Sequence, residues 1–456
     1  LEGSAAALLF SILLENKQAH LIIANDLDEA GYLYNDLVQL NGSDQILLFP
    51  SGYKRDIKYG QPDPPSEILR TEVLNRLNQK GDALLVVTYP EAIAEKVVPS
   101  NTLSEQTLHI DKKKKYDIIS LSDQLRERGF EEVDYVYEPG QFAVRGSILD
   151  VFSYTNELPY RIDFFGKDVE SIRSFEVETQ LSKDKLDEAY IIANVCNQEG
   201  SGISILDFID KNTILLCRNL SWIIDRITAI ASESLSEQTL IAEEGDRYAM
   251  QKIIDADAFK RKIIDFRRID YGSTSEAQAP SIIRFNCTPQ GIYHKNFDLV
   301  SQSFSQFIEK NYTIYILSDS EKQIERLQAI FEERGESITF TPVLKTLHEG
   351  FVDNDLKMCC FTDHQIFDRF HKYTLKSEHA RSGKLALSLK ELSQIEVGDY
   401  IVHVDHGIGR FGGLIRTEIN GKMQEVIKLT YQNDDIIFVS IHALHKLAKY
   451  RAKEGE

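Results

Sequence analysis

"YEPGQFAVRGSILDVF", Tyr137 to Phe152, is the stretch on which the reading of the fold turns. Apolar residues alternate through it as in a strand, Pro139-Gly140 precedes the run and Gly146 interrupts it. Arg145 stands inside that pattern, where a buried strand has no use for a guanidinium. Alternation offers an answer. On "FAVRGSILD" Arg145 is expected opposite Phe142, Val144 and Ile148. On "YRIDFF" (160–165), Tyr160, Ile162 and Phe164 take one face and Arg161, Asp163 and Phe165 the other. With the larger apolar side chains inward, Arg145, Arg161 and Phe165 are expected on one outer sheet surface, and two arginines around an exposed aromatic suit a protein contact. Further turn signals at Asn156 and Gly166-Lys167-Asp168 make residues 130–179 a small, largely antiparallel insert.

Upstream of the insert the rhythm is α/β. "AAALLFSILLE" (5–15) predicts a helix, and "HLIIAN" (20–25), "ILLFP" (46–50) and "ALLVVT" (83–88) are continuous apolar runs suited to buried parallel strands. "PPSEILRTEVLNRLNQKG", opened by proline and followed through by Gly81, predicts a helix between the last two. Downstream, "TILLCRN" (213–219) predicts another buried strand, and a long helix-prone segment covers 222–271. A fresh α/β unit begins at Asn296. It has helix "FDLVSQSFSQFIEKN", strand "YTIYILS", helix "DSEKQIERLQAIFEERG" ending at Gly335, and strand "MCCFTDHQIF". A Lys/Ser-rich linker over 371–392 leads to a compact β unit with a hairpin turn at Asn420-Gly421 and strands "EVIKLTY" and "DIIFVSI".

The fold class is therefore multidomain α/β: an α/β domain carrying a β-rich insert, a second small α/β domain, and a small C-terminal β-barrel. The expected boundaries are 1–115 and 184–294 for the split α/β domain, 116–183 for the insert, 295–375 for the second domain, 376–394 for the linker and 395–456 for the last domain. A chain of 456 residues is too long for one core. Its net charge of −19 argues against a general phosphate-binding surface. The one compact basic run, Lys112 to Lys115, reads as a solvated linker. Five scattered cysteines (Cys196, Cys217, Cys287, Cys359, Cys360), with no C-x-x-C pair and no zinc-type spacing, read as reduced thiols in a cytoplasmic protein. No apolar run approaches the ~20 residues needed to span a membrane. The first residue is Leu1 rather than Met, so the chain is expected to be an excerpt of a longer protein.

The leading helix after glycine is what a P-loop ATPase offers, but the loop G-x-x-x-x-G-K-[ST] is missing. At "LEGSAAALLF", Gly3, Ser4 and Ala5 mark a degenerate nucleotide site, with alanine where the lysine and hydroxyl belong. No G-K-[ST] occurs anywhere, and no catalytic residue or cofactor is expected. In "HVDHG", His403 and His406 are expected on opposite strand faces, too far apart in direction for a shared metal. "TDHQIFDRFH" supplies Asp363, His364, Asp368 and His371 without a recognised ligand spacing. Two other functions stay open: a nucleotide-dependent helicase or excision-repair subunit, against which the missing lysine counts, and a weak DNA-binding module working through Lys112 to Lys115.

Residues Tyr137 to Ser182 resemble the inserted domain shared by UvrB and the bacterial transcription-repair coupling factors, the Mfd family. The shared pattern is P-G-x-[FY]-A-x-R-G-x-[IL]-[LV]-D-[IV]-F followed by R-[IL]-[DE]-F-F-[GD]-x-[DE]-[IV]-[ED]-S-[IL]-R. The segment "GDYIVHVDHGIGRFGGL…EVIKLTY…IFVSIHALHKLAKY" resembles that family's RNA-polymerase-interacting domain, a Tudor-like β unit shared with CarD-type regulators. The resemblance implies a decayed P-loop-like domain, UvrA as partner of Arg145, Arg161 and Phe165, and Arg173 as a further contact. It also implies binding of the RNA polymerase β subunit through Ile427, flanked by Glu425 and Lys428. Alternation puts Ile427 and Leu429 on one face, and an exposed edge strand there would extend a partner's sheet. The parent protein is then an ATP-dependent DNA translocase, contacting double-stranded DNA mainly through motor domains beyond Glu456.

Overall fold

The computed structural model describes residues 1–16, 18–53, 63–79, 83–105, 107–156, 158–177, 180–194, 202–241, 253–272, 281–335, 338–369, 395, 397–403, 406–419, 422–431, 435–440 and 447–449. The linker over 371–392, the hairpin turn Asn420-Gly421, Gly81, Cys196 and His371 lie outside them. The chain divides into two compact units, Leu1–Ser100 with Gln198–Leu375 and Asn101–Asn197 with Lys376–Glu456. Strands are numbered along the chain.

The first unit opens with helix Ala5–Ser11 and a parallel sheet of β1 (Ala19–Ile23), β2 (Ile46–Leu48), β3 (Leu84–Thr88), β12 (Ile214–Cys217) and β13 (Arg268–Asp270), in the order β13-β12-β1-β3-β2. Its central strands are buried on both faces, which is why they read as continuous apolar runs. The chain leaves this sheet after β3 and returns at β12, which pairs with β1. Helices Leu220–Ile241 and Ala256–Ile263 account for most of the stretch expected to be helical, but its end is β13. That edge strand, Arg268-Ile269-Asp270, exposes all three residues, so no apolar run announces it.

A second sheet in the same unit comprises β14 (Cys287–Pro289), β15 (Thr313–Leu317), β16 (Thr341–Val343), β17 (Phe351–Asp353) and β18 (Met358–Thr362), in the order β14-β17-β18-β15-β16. Helix Phe297–Glu309 starts where the Asn296 side chain accepts the amides of Asp298 and Leu299, a standard N-cap. Phe304, Phe331 and Phe361 fill the core beside this sheet, and Cys359 and Cys360 are buried in β18.

In the second unit β4 (Thr107–Asp111) pairs with β11 (Glu188–Ile192), and a six-stranded sheet runs β10-β9-β8-β7-β6-β5. These are β5 (Glu131–Glu132), β6 (Gln141–Arg145), β7 (Ile148–Val151), β8 (Tyr160–Phe165), β9 (Asp168–Phe175) and β10 (Ser182–Leu186). Only the β5–β6 pair is parallel. Phe142, Leu149, Val151, Ile162, Phe164 and Ile172 form the inner face, packed with Leu121 and Leu125 of helix Ile118–Glu127. Two-residue turns close β6–β7 and β8–β9, and each begins on a glycine at φ +63, Gly146 and Gly166. This is the backbone that a type II′ hairpin turn asks of its first central residue. The remaining strands, β19 (Tyr400–His403), β20 (Gly407–Ile419), β21 (Lys422–Thr430), β22 (Ile436–Ser440) and β23 (Leu447–Lys449), form an antiparallel sheet ordered β22-β21-β20-β19-β23. Ile401, Phe411, Ile427, Leu429, Val439 and Leu447 are its core.

Candidate protein-interaction site

Arg145, Arg161, Phe165 and Arg173 lie on the outer face of the six-stranded sheet. Cross-strand register sets them there: Ala143, Asp150, Arg161, Arg173 and Lys185 form one row across five strands, and Arg145, Ile148, Asp163 and Ser171 form the next. Ile148 therefore shares the face of Arg145, contrary to the sequence expectation. The turn at Gly146-Ser147 reverses the chain, so counting straight through "FAVRGSILD" as one strand misplaces everything after it. Phe165 is 80% exposed at the end of β8.

The two leading arginines do not both stand clear. Asp150, whose side chain is 1% exposed, lies between them. Arg161 grips it bidentately, with Nε to Oδ1 and Nη2 to Oδ2 both at 2.8 Å, and Arg145 pairs with Oδ2 from the other side. Arg161 also donates from Nη1 to the Gln180 carbonyl at 2.9 Å and from Nη2 to Gln180 Oε1 at 3.1 Å, and it lies 4.2 Å over the Phe175 ring. Its side chain is left 13% exposed, whereas Arg145 keeps 32% and Arg173 30%. Arg145 reaches the Asp134 carbonyl at 3.2 Å and lies 4.7 Å over Tyr135. Arg173, directly opposite Arg161, is 3.8 Å from Asp163. The expectation of a ring flanked by two freely exposed cations is thus corrected. Arg161 is a fixed, mostly covered member of a charge network that holds Arg145 in place beside it.

Asp150 is the residue the sequence reading passed over. The signal was present: with Leu149 and Val151 inward, Asp150 falls on the arginine face. Only the pairing of β7 with β8 shows that it meets Arg161 rather than solvent.

At the other expected landmark, Gly3, Ser4 and Ala5 meet the loop before β17. Ser4 donates its hydroxyl to Asp36 at 2.5 Å and accepts the Glu349 amide at 3.0 Å, while Asp36 also accepts the His348 amide at 2.7 Å. The Ser4 amide bonds the Glu349 carbonyl, and Gly3, at φ +51, has no room for a side chain, since a Cβ would lie 2.8 Å from the Gly350 carbonyl oxygen. Tyr32 stacks on His348 at 3.4 Å. The Glu349 and Gly350 carbonyls, the Asp36 carboxylate and the His348 and Glu349 amides all meet at this turn, and its polar groups answer one another. Burial pushes the Asp36 carboxyl up to about 7, against the two hydrogen bonds it accepts.

The C-terminal sheet contradicts its sequence reading most directly. Strand β21 is flanked on both sides, by β20 and β22, and offers no free edge. Ile427 is fully buried in the core. Lys428 points the other way, opposite Phe438, and Glu425 stands in register with Arg416. Among the described residues the edge strands are β22 and β23, and on β22 Ile436 and Phe438 are 47% and 48% exposed. His403 and His406 also depart from expectation. The strand ends at His403, and the two rings come within 4.7 Å of each other instead of facing apart. Among the described residues no group of three or more His, Cys, Asp or Glu could hold a metal ion. His364 bonds the His348 carbonyl at 2.8 Å.

Residues 108–195 match the model of the UvrB interaction domain, and residues 395–451 match that of the CarD-like/TRCF RID domain. Over 97% of its length the chain is 24% identical to a transcription-repair-coupling factor of Staphylococcus aureus (strain USA300), and over its whole length 23% identical to that of Bacillus subtilis (strain 168). The chain is similar to transcription-repair-coupling factors. It spans 44% and 45% of those two relatives, less than half of each. The transcription-repair-coupling match contains both candidate faces: the arginine network and Phe165 lie inside the first matched segment, and β19 to β23 inside the second. No helix among the described residues is long and apolar enough to cross a membrane.

Proposed function

We propose that this chain is the non-catalytic, protein-binding portion of a cytoplasmic transcription-repair coupling factor. In this reading it is an adaptor that grips stalled RNA polymerase through its last sheet and recruits UvrA through the outer face of its insert. The DNA-translocating ATPase belongs to the length of the relatives that this chain does not span. The leading α/β domain has a P-loop-like layout with a decayed nucleotide site at Gly3, Ser4 and Ala5, and the last sheet is a Tudor-like barrel.

The observation that carries the reading is Phe165, 80% exposed on the same face as an arginine pair locked by a buried carboxylate. A large ring held on a rigid hairpin loses little entropy on docking, and neighbouring guanidiniums supply direction as well as charge. Arg145 and Arg173 are the cations that keep contactable surface, and Arg161 positions Arg145 through Asp150. For the polymerase β subunit, the contact belongs on β22, whose free edge offers main-chain hydrogen bonds and whose Phe438 offers an anchor. Ile427, Glu425 and Lys428 then support that strand from β21.

Titration of UvrA against the wild-type chain and Phe165→Ala tests the first half. The variant is expected to bind about 10- to 100-fold more weakly, about 1–3 kcal/mol, with an unchanged melting temperature. Wild-type affinity ends the assignment.

A further inference from the structure

The lysine run at 112–115, read from its composition as a solvated linker, is exposed but forms a fixed turn. It forms the turn between β4 and helix Ile118–Glu127, and it is fastened at both ends. The Lys112 amide donates to the Asp187 carbonyl at 3.0 Å, and the Lys113 amide to Asp111 Oδ1 at 2.8 Å. Tyr116 packs on the core of the insert, and its amide donates to the Lys167 carbonyl at 2.8 Å. That carbonyl belongs to the two-residue turn that follows Phe165. Lys115 pairs with Asp168 at 3.1 Å and Lys167 with Asp117 at 3.7 Å, so crossed ion pairs join the two turns. Asp168 is the cross-strand partner of Phe165. Fifty residues of sequence separation are thus closed into one tip.

The charge left over is uneven. Lys115 and Lys167 are matched by Asp168 and Asp117, but Lys112, Lys113 and Lys114 are exposed and form no ion pair among the described residues. Three cations without an ion pair, in a turn fastened to the hairpin that carries Phe165, are conspicuous on a chain of net charge −19. An acidic chain repels an acidic partner at a distance, so a local positive tip is what lets such a partner approach in one orientation.

We infer that Lys112, Lys113 and Lys114 extend the Phe165 docking face and steer onto it a protein partner whose surface around the phenylalanine-binding socket is acidic. This rests on the docking reading above and specifies the chemistry of the partner's side. Exposed lysines on a rim act mainly on the association rate, because their attraction reaches about a Debye length, ~10 Å at 0.1 M salt, before contact forms. The ring, buried on docking, acts on the dissociation rate.

The test measures association and dissociation rates with UvrA between 25 and 300 mM NaCl for three chains: wild type, the triple variant Lys112→Gln, Lys113→Gln, Lys114→Gln, and Phe165→Ala. The triple variant is expected to associate about 10-fold more slowly at low salt, with a flatter salt dependence, an unchanged dissociation rate and an unchanged melting temperature. Phe165→Ala is expected to dissociate faster with its salt dependence intact. A triple variant that associates like wild type at every salt concentration overturns the steering role while leaving the docking face standing, provided Phe165→Ala still weakens binding. If Phe165→Ala binds as wild type, the docking reading itself fails. A parallel titration with a fluorescent DNA duplex and single strand separates the remaining source: lysine-dependent DNA binding with lysine-independent UvrA binding also overturns the proposal.

Discussion

The two segments that match known domain families are both built on largely antiparallel sheets, and in both a strand residue was expected to meet a partner. In the insert the expected ring, Phe165, is 80% exposed; in the last sheet the expected aliphatic, Ile427, is fully buried. The difference lies in what alternation can and cannot say. It sorts side chains into two faces, and on β8 and β21 it sorts them correctly. It does not say which face is covered, nor which strand ends the sheet. On β8 three large apolar side chains mark the inner face and leave Arg161, Asp163 and the terminal Phe165 on the outer one. On β21 Ile427 and Leu429 mark the inner face just as clearly, with Lys428 on the other, but a buried Val426 on that second face and a neighbouring strand on each side leave Ile427 no route to a partner.

Several substitutions probe that contrast. The largest effect is expected from Ile427→Arg, which places an unpaired cation in the core of the last sheet. We expect a loss of about 4 kcal/mol or more in that domain, read as early unfolding by circular dichroism or proteolysis. A folded variant with full polymerase capture would contradict the buried position. Next comes Asp150→Asn. It leaves two guanidiniums side by side with Arg173 adjacent and no carboxylate between them, so a loss of about 3 kcal/mol is expected in denaturant unfolding of the insert, with weaker UvrA binding as a consequence. Phe438→Ser, on the edge strand β22, should leave stability within about 1 kcal/mol while cutting polymerase pull-down about 10-fold. An unaffected pull-down would move the contact off β22.

A further effect, spread over several pH units, is a pH dependence in the first unit. Asp36 carries a folded pKa raised to about 7 by burial, so its contribution is fully present below the ordinary carboxylate range and is lost as pH rises towards 7. Between about pH 4 and 7 the wild type should lose stability relative to Asp36→Asn by at most about 1.4 kcal/mol per pH unit, with no further change above pH 8. Parallel curves for the two chains would mean that Asp36 is already ionised in the folded state. His20 acts in the opposite sense: burial lowers its pKa, so what it contributes is lost as pH falls below its ordinary 6.5.

Much of this architecture is legible in the sequence. The runs "HLIIAN", "ILLFP", "ALLVVT" and "TILLCRN" all become strands of one parallel sheet, because only strands buried on both faces need unbroken apolar sequence. The helix after Asn296 and the turn at Gly166-Lys167 followed from local chemistry. What escaped were relations between distant residues. Asp150 meets Arg161 through strand pairing, Ser4 meets Asp36 and Glu349 across more than thirty and three hundred positions, and the lysine turn meets the Phe165 hairpin. The edge strand Arg268–Asp270 carries no apolar signal because all three of its residues are exposed. Local patterns report burial; they do not report neighbours.

The single carboxylate at position 150 also bears on how such a surface changes over generations. Replacing either arginine alone leaves the acid half-answered, and replacing the acid alone sets like charges against each other. Drift at 145, 150 and 161 should therefore arrive as joint exchanges among relatives, while position 165, tied to no neighbour by charge, remains free to follow whatever protein it meets.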